Sequence, residues 1–274
     1  MKYRHAFHAG NFADVHKHVT LLALLAALQR KDKGFLYLET HAGSGAYDGT
    51  AQAAVLESLL RGATNVPELN RYVRAITAYR AERGKPQGYA GSPLLAAREL
   101  RPQDRAVLIE AQLAEARALE RALDGIANAR VETADGFAQL RAHLPPKERR
   151  GLVFIDPPYE ETEQDFDLTV SATREALRRF ETCVVAVWYP IKKAADLEPW
   201  YARIAGGISH ETLLSELWLY PTDSRVSLNG SGLVIVNPPY QIAERMQMWL
   251  PELAALLDAE RRGGAKVRWL TPPR

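Results

Sequence analysis

Short apolar runs rich in β-branched residues alternate along the chain with longer segments whose apolar positions recur every three or four residues. The runs predict strands at residues 35–39, 106–109, 130–132, 152–155, 183–188, 216–220 and 233–236. The helical periodicity predicts helices over 14–30, 112–124, 136–143, 165–180 and 242–258, with Asp14 as a helix cap and Gly34 as a stop. Strands alternating with helices imply an α/β fold: a mixed, mostly parallel, seven-stranded sheet covered on both faces. Between Ser44 and Gly91 the rhythm breaks. Helical pattern continues (51–61 and 68–83) without a strand, so residues 48–90 read as a small helical insertion within one domain spanning 1–274. Leu56, Leu59, Leu60, Tyr72 and Ile76 are expected to pack it on the core.

Composition narrows the class. A chain of 274 residues that is 47% hydrophobic and 25% charged fits a soluble globular protein. The longest apolar run, at 19–28, is too short to span a bilayer, and the N-terminus lacks the apolar region of a signal peptide. A cytoplasmic protein without a membrane partner is expected. Cys183 is the single cysteine and reads as a small buried hydrophobe. Net charge is only +2, yet residues 61–105 carry nine Lys/Arg against four acids. That local excess could track phosphates or could be a solvated helical face.

Two stretches repeat one motif: GLVFIDPPYE at 151–160 and GLVIVNPPYQ at 232–241. Each is an apolar run followed by Asp or Asn, two prolines and a tyrosine. Such a loop suits methylation of an exocyclic amino group. The adenine N6 lone pair is delocalised into the ring and is a poor nucleophile. Asp156 and the carbonyl of Pro157 can accept its hydrogens and turn the lone pair toward a methyl donor, the proline supplying a rigid backbone. Tyr159 offers a stacking face, worth roughly 1–3 kcal/mol per base. A paired base cannot reach such a pocket, so the nucleotide must be flipped or unpaired. Asp and Asn both accept this hydrogen bond, so position decides between the loops. The first ends the fourth strand of a parallel series. The second follows a strand expected to run antiparallel, which would deliver Asn237–Tyr240 to the far edge as a structural turn.

Other strand ends support a nucleoside cofactor. THAGSGAY (40–47) places Gly43 and Gly45 in a turn after the first strand, without the full spacing of a dinucleotide loop. Glu110 ends the next strand, where an acid can accept from ribose hydroxyls. After the third strand, Asp135 could accept from an adenine amino group while Gly136 admits the ring. Any one of these residues could instead be a helix cap or a dipole charge.

At this point the chain resembles a known family. YRHAFHAGNFADVHKH (3–18), LYLETHAGSGAY (36–47), GSPLLA (91–96), ADGFAQL (134–140), RRGLVFIDPPYE (149–160), WYP (188–190) and SGLVIVNPPY (231–240) are similar to the RlmJ-type methyltransferases. The resemblance covers essentially the whole chain and implies a Rossmann-like methyltransferase fold with a helical insertion. It implies transfer of a methyl group from S-adenosylmethionine to N6 of an adenine in bacterial 23S ribosomal RNA. It further implies cofactor contacts from His18, His41, Ser92, Glu110, Asp135, Gly136 and Asp156, and substrate RNA contacts from Tyr3, His5 and Lys17. Asp156, Pro157, Tyr159 and Lys17 would form the catalytic set. The arm before the first helix would fold over the flipped base, with Lys17 projecting toward RNA.

Five of seven histidines lie in the first 41 residues, but His16 and His18 do not share a helix face, and one cysteine without an HExxH pattern argues against a metal. Imidazoles lining a nucleoside pocket fit better, and a monomer is expected. Three alternatives remain. A DNA adenine or guanine-N2 methyltransferase would share the chemistry. An NAD(P) oxidoreductase is disfavoured by the incomplete glycine fingerprint, and a non-catalytic RNA-binding protein by the intact DPPY.

Overall fold

The computed structural model describes residues 9–48, 54–62, 64–160, 162–221, 228–258 and 261–273. The first helix, α1 (Phe12–Gln29), starts two residues earlier than its apolar pattern suggests. The Asn11 side chain accepts from the Asp14 N–H at 3.0 Å, so Asn11 is the cap and Asp14 lies in the first turn. Gly34 is not the stop either, since the helix ends at Gln29. A Cβ there would stand 2.0 Å from the Gln103 carbonyl oxygen, so the glycine permits a close backbone crossing.

In chain order there follow β1 (Leu36–Glu39), β2 (Ala46–Tyr47), α2 (Ala54–Arg61), α3 (Pro67–Arg83), β3 (Tyr89–Ala90), α4 (Ser92–Glu99), β4 (Arg105–Glu110), α5 (Leu113–Ala122), β5 (Ala129–Thr133) and α6 (Gly136–His143). The second half holds β6 (Gly151–Ile155), α7 (Thr162–Arg179), β7 (Val184–Ile191), α8 (Glu198–Ala205), β8 (Thr212–Trp218), β9 (Gly230–Val236), α9 (Ile242–Leu257) and β10 (Gly264–Thr271).

The main sheet has eight strands, not seven, in the order β10-β8-β9-β7-β6-β1-β4-β5. The extra strand is β10, an edge strand with no fully buried residue: Ala265, Val267 and Trp269 pack on the core while Lys266 and Arg268 interrupt the apolar pattern. Strands β5, β4, β1, β6 and β7 run parallel. β9 is antiparallel to both β7 and β8, as the turn-rich approach to its sequence implies. α1 and α9 bury their apolar residues on one face, α7 and α8 on the other.

β2 and β3 pair antiparallel, Ala46 opposite Ala90 and Tyr47 opposite Tyr89, and close a two-stranded stem around α2 and α3. Leu56, Leu59, Tyr72 and Ile76 are buried in the same core as α1, with Leu60 half-buried against it. The basic excess of this region is largely consumed internally. Arg71 pairs with Glu99, Arg80 with Glu57, Arg98 with Glu82 and Arg101 with Asp104. Cys183 is buried, and burial pushes its thiol up to about 12. Among the described residues no helix is long and apolar enough to cross a membrane.

Candidate active site

β1 is the topological switch of the sheet, with β4 and β5 on one side and β6 and β7 on the other. The crevice outside the carboxyl ends of β1 and β6 is where an α/β sheet of this kind binds ligands. Glu39 ends β1, Glu110 ends β4, Asp135 follows β5 and Asp156 follows β6. Four of the acids therefore stand along one edge.

The loop after β1 turns through Gly43 (φ +62°) and Gly45 (φ +70°), left-handed positions that favour glycine. Glu110 locks this loop. One carboxylate oxygen accepts the Gly43 N–H and the other the Gln112 N–H, both at 2.8 Å. Each oxygen keeps a second lone pair for a ligand hydroxyl. Asp135 caps α6 by accepting the Ala138 N–H at 2.9 Å and remains exposed. Gly136 has a different role from the one its neighbourhood suggests. A Cβ there would lie 1.8 Å from the Thr40 carbonyl oxygen, so the glycine lets α6 seat against the loop after β1 rather than opening room for a base.

Asp156 is the convergence point. The Lys17 ammonium lies 2.6 Å from Asp156 Oδ2 and 2.9 Å from Asp14 Oδ1, and 5.3 Å from the centre of the Trp188 ring. Burial opposes the charge on Lys17, but the Asp14 and Asp156 carboxylates outweigh it and push its pKa up. Lys17 was expected to project toward RNA; it is instead 3% exposed and enclosed by these partners. Asp14 also accepts the Gly10 N–H at 2.9 Å, tying the start of α1 to the same cluster.

His41 sits edge-on to Phe137 and its Nδ1 is 2.8 Å from Thr40 Oγ1. Burial lowers its pKa to about 4, against the pull of Asp156 and Asp135, so the ring is neutral at pH 7. Ser92, first residue of α4, donates to Glu39 Oε1 at 2.5 Å, while the Tyr37 hydroxyl donates to Glu39 Oε2 at 2.8 Å. Glu39 is fully buried, and burial raises its pKa to about 8 despite these two donors. His18 Nδ1 meets the Tyr89 hydroxyl at 2.6 Å, and Tyr89 in turn meets the Tyr72 hydroxyl at 3.2 Å.

Pro157 is buried. Tyr159 does not stand free: its hydroxyl donates to the Trp188 carbonyl at 2.5 Å, and its ring packs on Phe166 and edge-on to Trp188. The ring is therefore rigidly held and half-buried. His16 leaves the pocket altogether. Its Nδ1 is 3.0 Å from Ser231 Oγ and its Nε2 is 2.9 Å from Ser215 Oγ, which pins α1 to β9 and β8. Burial lowers its pKa to about 3. Tyr3 and His5 lie outside the described residues. Among the described residues no group of His, Cys, Asp and Glu could hold a metal ion.

The second loop is on the opposite edge. Asn237 has φ +52°, and its amide donates to the Glu181 carbonyl at 2.7 Å and the Cys183 carbonyl at 3.1 Å, just before β7 begins. It is an asparagine in a left-handed turn whose donor group is already used.

Asp14, Glu39 and Trp188 were not singled out as site residues from sequence. Asp14 was legible as the acid three residues before Lys17 on one helix face, and Glu39 as the acid ending the strand before a glycine loop. Nothing local in the sequence places Trp188 over Lys17, because that contact crosses from β7 to α1.

The chain is similar to known proteins over nearly its whole length. The family model described as "Ribosomal RNA large subunit methyltransferase D, RlmJ" matches residues 32–271. Proteins named ribosomal RNA large subunit methyltransferase J from Haemophilus influenzae and Escherichia coli are 39% and 37% identical, each alignment covering 99% of both chains. A Legionella pneumophila protein of known crystal structure superposes with a TM-score of 0.86 at 33% identity, covering 97% of this chain and 99% of that one.

Proposed function

The chain belongs to the RlmJ family of ribosomal RNA large subunit methyltransferases, and we propose that it transfers a methyl group from S-adenosylmethionine to N6 of an adenine in 23S ribosomal RNA, with Asp156 as the acceptor that activates the amino group. The observation that carries the assignment is the placement of Asp156. It stands at the carboxyl end of β6, beside the switch strand, with Lys17 on one oxygen.

The donor set fits the cofactor. Glu110, Asp135 and Asp156 line one edge, with Lys17 as the cation among them, while burial holds Glu39 largely protonated at neutral pH. An acidic edge suits a positively charged sulfonium and repels a pyrophosphate, which disfavours the dinucleotide alternative. Glu110 would hold the ribose hydroxyls and Asp135 the adenine amino group, with His41, His18 and Ser92 as neighbours of the amino-acid portion. When bound there, S-adenosylmethionine supplies an electrophilic methyl group.

The protein's own residues prepare the nucleophile. Lys17 bonds Asp156 Oδ2 and fixes it in place, leaving Oδ1 to accept a hydrogen from N6. The Pro157 carbonyl accepts the other. Electron density then shifts toward nitrogen, and the lone pair is aimed out of the base plane. Tyr159 borders the base and Trp188 backs the Lys17 ammonium. After methylation the surplus N6 proton leaves through Asp156 to solvent. Residues 48–90 are read as an insertion within one catalytic domain, and Tyr3 and His5 as substrate-side residues of the arm.

Transfer of labelled methyl from S-adenosylmethionine to 23S ribosomal RNA lacking the modification tests this reading. N6-methyladenosine in the nuclease digest, lost with Asp156→Ala, is the expected result. Label in DNA alone, or at guanine N2, would overturn it.

A further inference from the structure

The pairing registers put a second feature on the same edge as the active site. β7 runs on past its partner: Ile155, the last residue of β6, lies opposite Val187, while β7 continues to Ile191. At about 3.3 Å per residue, Lys192 sits about 16 Å beyond the end of β6 along the strand direction. It forms a wall beside the DPPY loop. Across the sheet, Ile191 pairs with Gly230, Gly230 with Trp218 and Trp218 with Gly264. Continued past the paired residues, the same register puts Lys192 level with Gly263, and Lys193 level with Tyr220 and Arg262. Lys192, Lys193, Arg261 and Arg262 are all exposed.

This rim is built rather than frayed. The Asn229 side chain donates to the Lys192 carbonyl at 2.6 Å, and its backbone N–H to the Ile191 carbonyl at 2.9 Å. The Gly263 N–H donates to Asp258 at 2.6 Å, which holds the turn into β10. The Arg262 guanidinium lies 5.6 Å from the centre of the Tyr220 ring. Asp196 is the exposed acid nearest in sequence to the lysines, and it lies on the turn that leads away into α8. The basic excess noted in the sequence near the insertion is mostly spent in ion pairs.

We propose that Lys192, Lys193, Arg261 and Arg262 form a basic rim that holds the phosphates of the RNA segment flanking the target adenine, so that the strand crosses the edge made by the carboxyl ends of β7 and β8 and the amino ends of β9 and β10. This rests on the reading of the chain as an RNA methyltransferase. The occupant follows from charge and position. Three cations in two adjacent rows, Arg261 next to them in the chain and an aromatic ring among them match a polyanionic strand carrying bases. Their distance from Asp156 places them against flanking nucleotides rather than the reacting base.

The test compares wild type with Lys192→Gln/Lys193→Gln and Arg261→Gln/Arg262→Gln, using 23S ribosomal RNA fragments and labelled S-adenosylmethionine. Lys147→Gln serves as a control for an exposed cation, because Lys147 precedes β6 and lies on the amino edge. For each double variant KM for RNA should rise about tenfold at moderate salt, with kcat and cofactor affinity within about twofold. The slope of log binding constant against log salt should flatten by roughly 0.7–0.9 for each cation removed. Lys147→Gln should match wild type. A wild-type enzyme that methylates RNA while both doubles keep its KM and salt slope would overturn the rim alone. Equal losses in all three variants would also overturn it, since net charge would then explain the effect. Wild type inert on RNA would remove the functional reading, and the rim with it.

Discussion

Lys17 Nζ is 2.6 Å from Asp156 Oδ2, a contact between the first helix and a loop 139 residues later. It ties the position of the active loop to where α1 sits. Asp14 and the Trp188 ring enclose the same ammonium, so the helix, the DPPY loop and β7 meet at one charge. Lys17→Met, which keeps much of the volume, should leave Asp14 and Asp156 facing one another without their cation. The expected outcome is at least about a 10²-fold fall in methyl transfer, with S-adenosylmethionine affinity changed only a few-fold by calorimetry. Loss of cofactor binding in step with activity would place Lys17 in the cofactor pocket instead.

The two PPY loops should separate in a single comparison. Asp156→Ala should reduce turnover by roughly 10²-fold or more in protein that is still folded, beyond the stability it loses with the buried Lys17 pair. Asn237→Ala removes two hydrogen bonds to the entry of β7 and puts a Cβ-bearing, non-bonding residue at φ +52°. It should cost about 1–3 kcal/mol of stability and leave kcat intact. Denaturant midpoints measured beside turnover numbers decide the matter, and the reverse pattern would undo the strand-direction argument.

His16 predicts an acid limb of the stability curve. Its pKa is lowered from an ordinary 6.5 to about 3 in the folded protein by burial. The unfolded chain therefore takes up a proton that the folded one refuses. The corresponding stability is fully present above about pH 6.5 and drains away as pH falls toward 3. In His16→Asn, which keeps a polar side chain between Ser215 and Ser231, urea midpoints should fall less steeply between pH 6.5 and 4. A parallel curve would mean other groups dominate that window.

The arginines of α3 should behave as structural groups. Arg71 and Arg80 are held by Glu99 and Glu57, and Arg80 also donates to the Gly88 carbonyl. Arg71→Ala and Arg80→Ala should each cost about 1 kcal/mol, in line with partly exposed pairs, and should leave the salt dependence of RNA binding unchanged. A flattened slope would return these residues to the RNA interface.

Much of this arrangement was legible in the chain because it depends on local pattern. The parallel strands, the glycine turn, the order of acids at strand ends and the direction of β9 all follow from apolar periodicity and loop length. What escaped depends on distant partners. β10 alternates too weakly to announce itself, because an edge strand needs only half its residues covered. Lys17 looks like a surface lysine until Asp156 is brought beside it. Gly136 looks like space for a ligand until α6 is seated on Thr40. Arg71 and Arg80 count as positive charge until the acids of α2 and α4 are placed against them.

The short β2–β3 stem sets how this protein can change. Because Ala46 faces Ala90, the chain leaves the sheet and returns to it at one point. The segment between is topologically a side branch, and the order of the main strands is indifferent to its length. Doubling such a branch would add only about 0.6 kcal/mol of closure entropy. A single residue inserted into β6 or β7 would instead turn every following side chain to the opposite face. Variation in length is thus cheap at the stem and prohibitive at the edge where Asp156 stands, so the branch is the natural place for related enzymes to diverge in size.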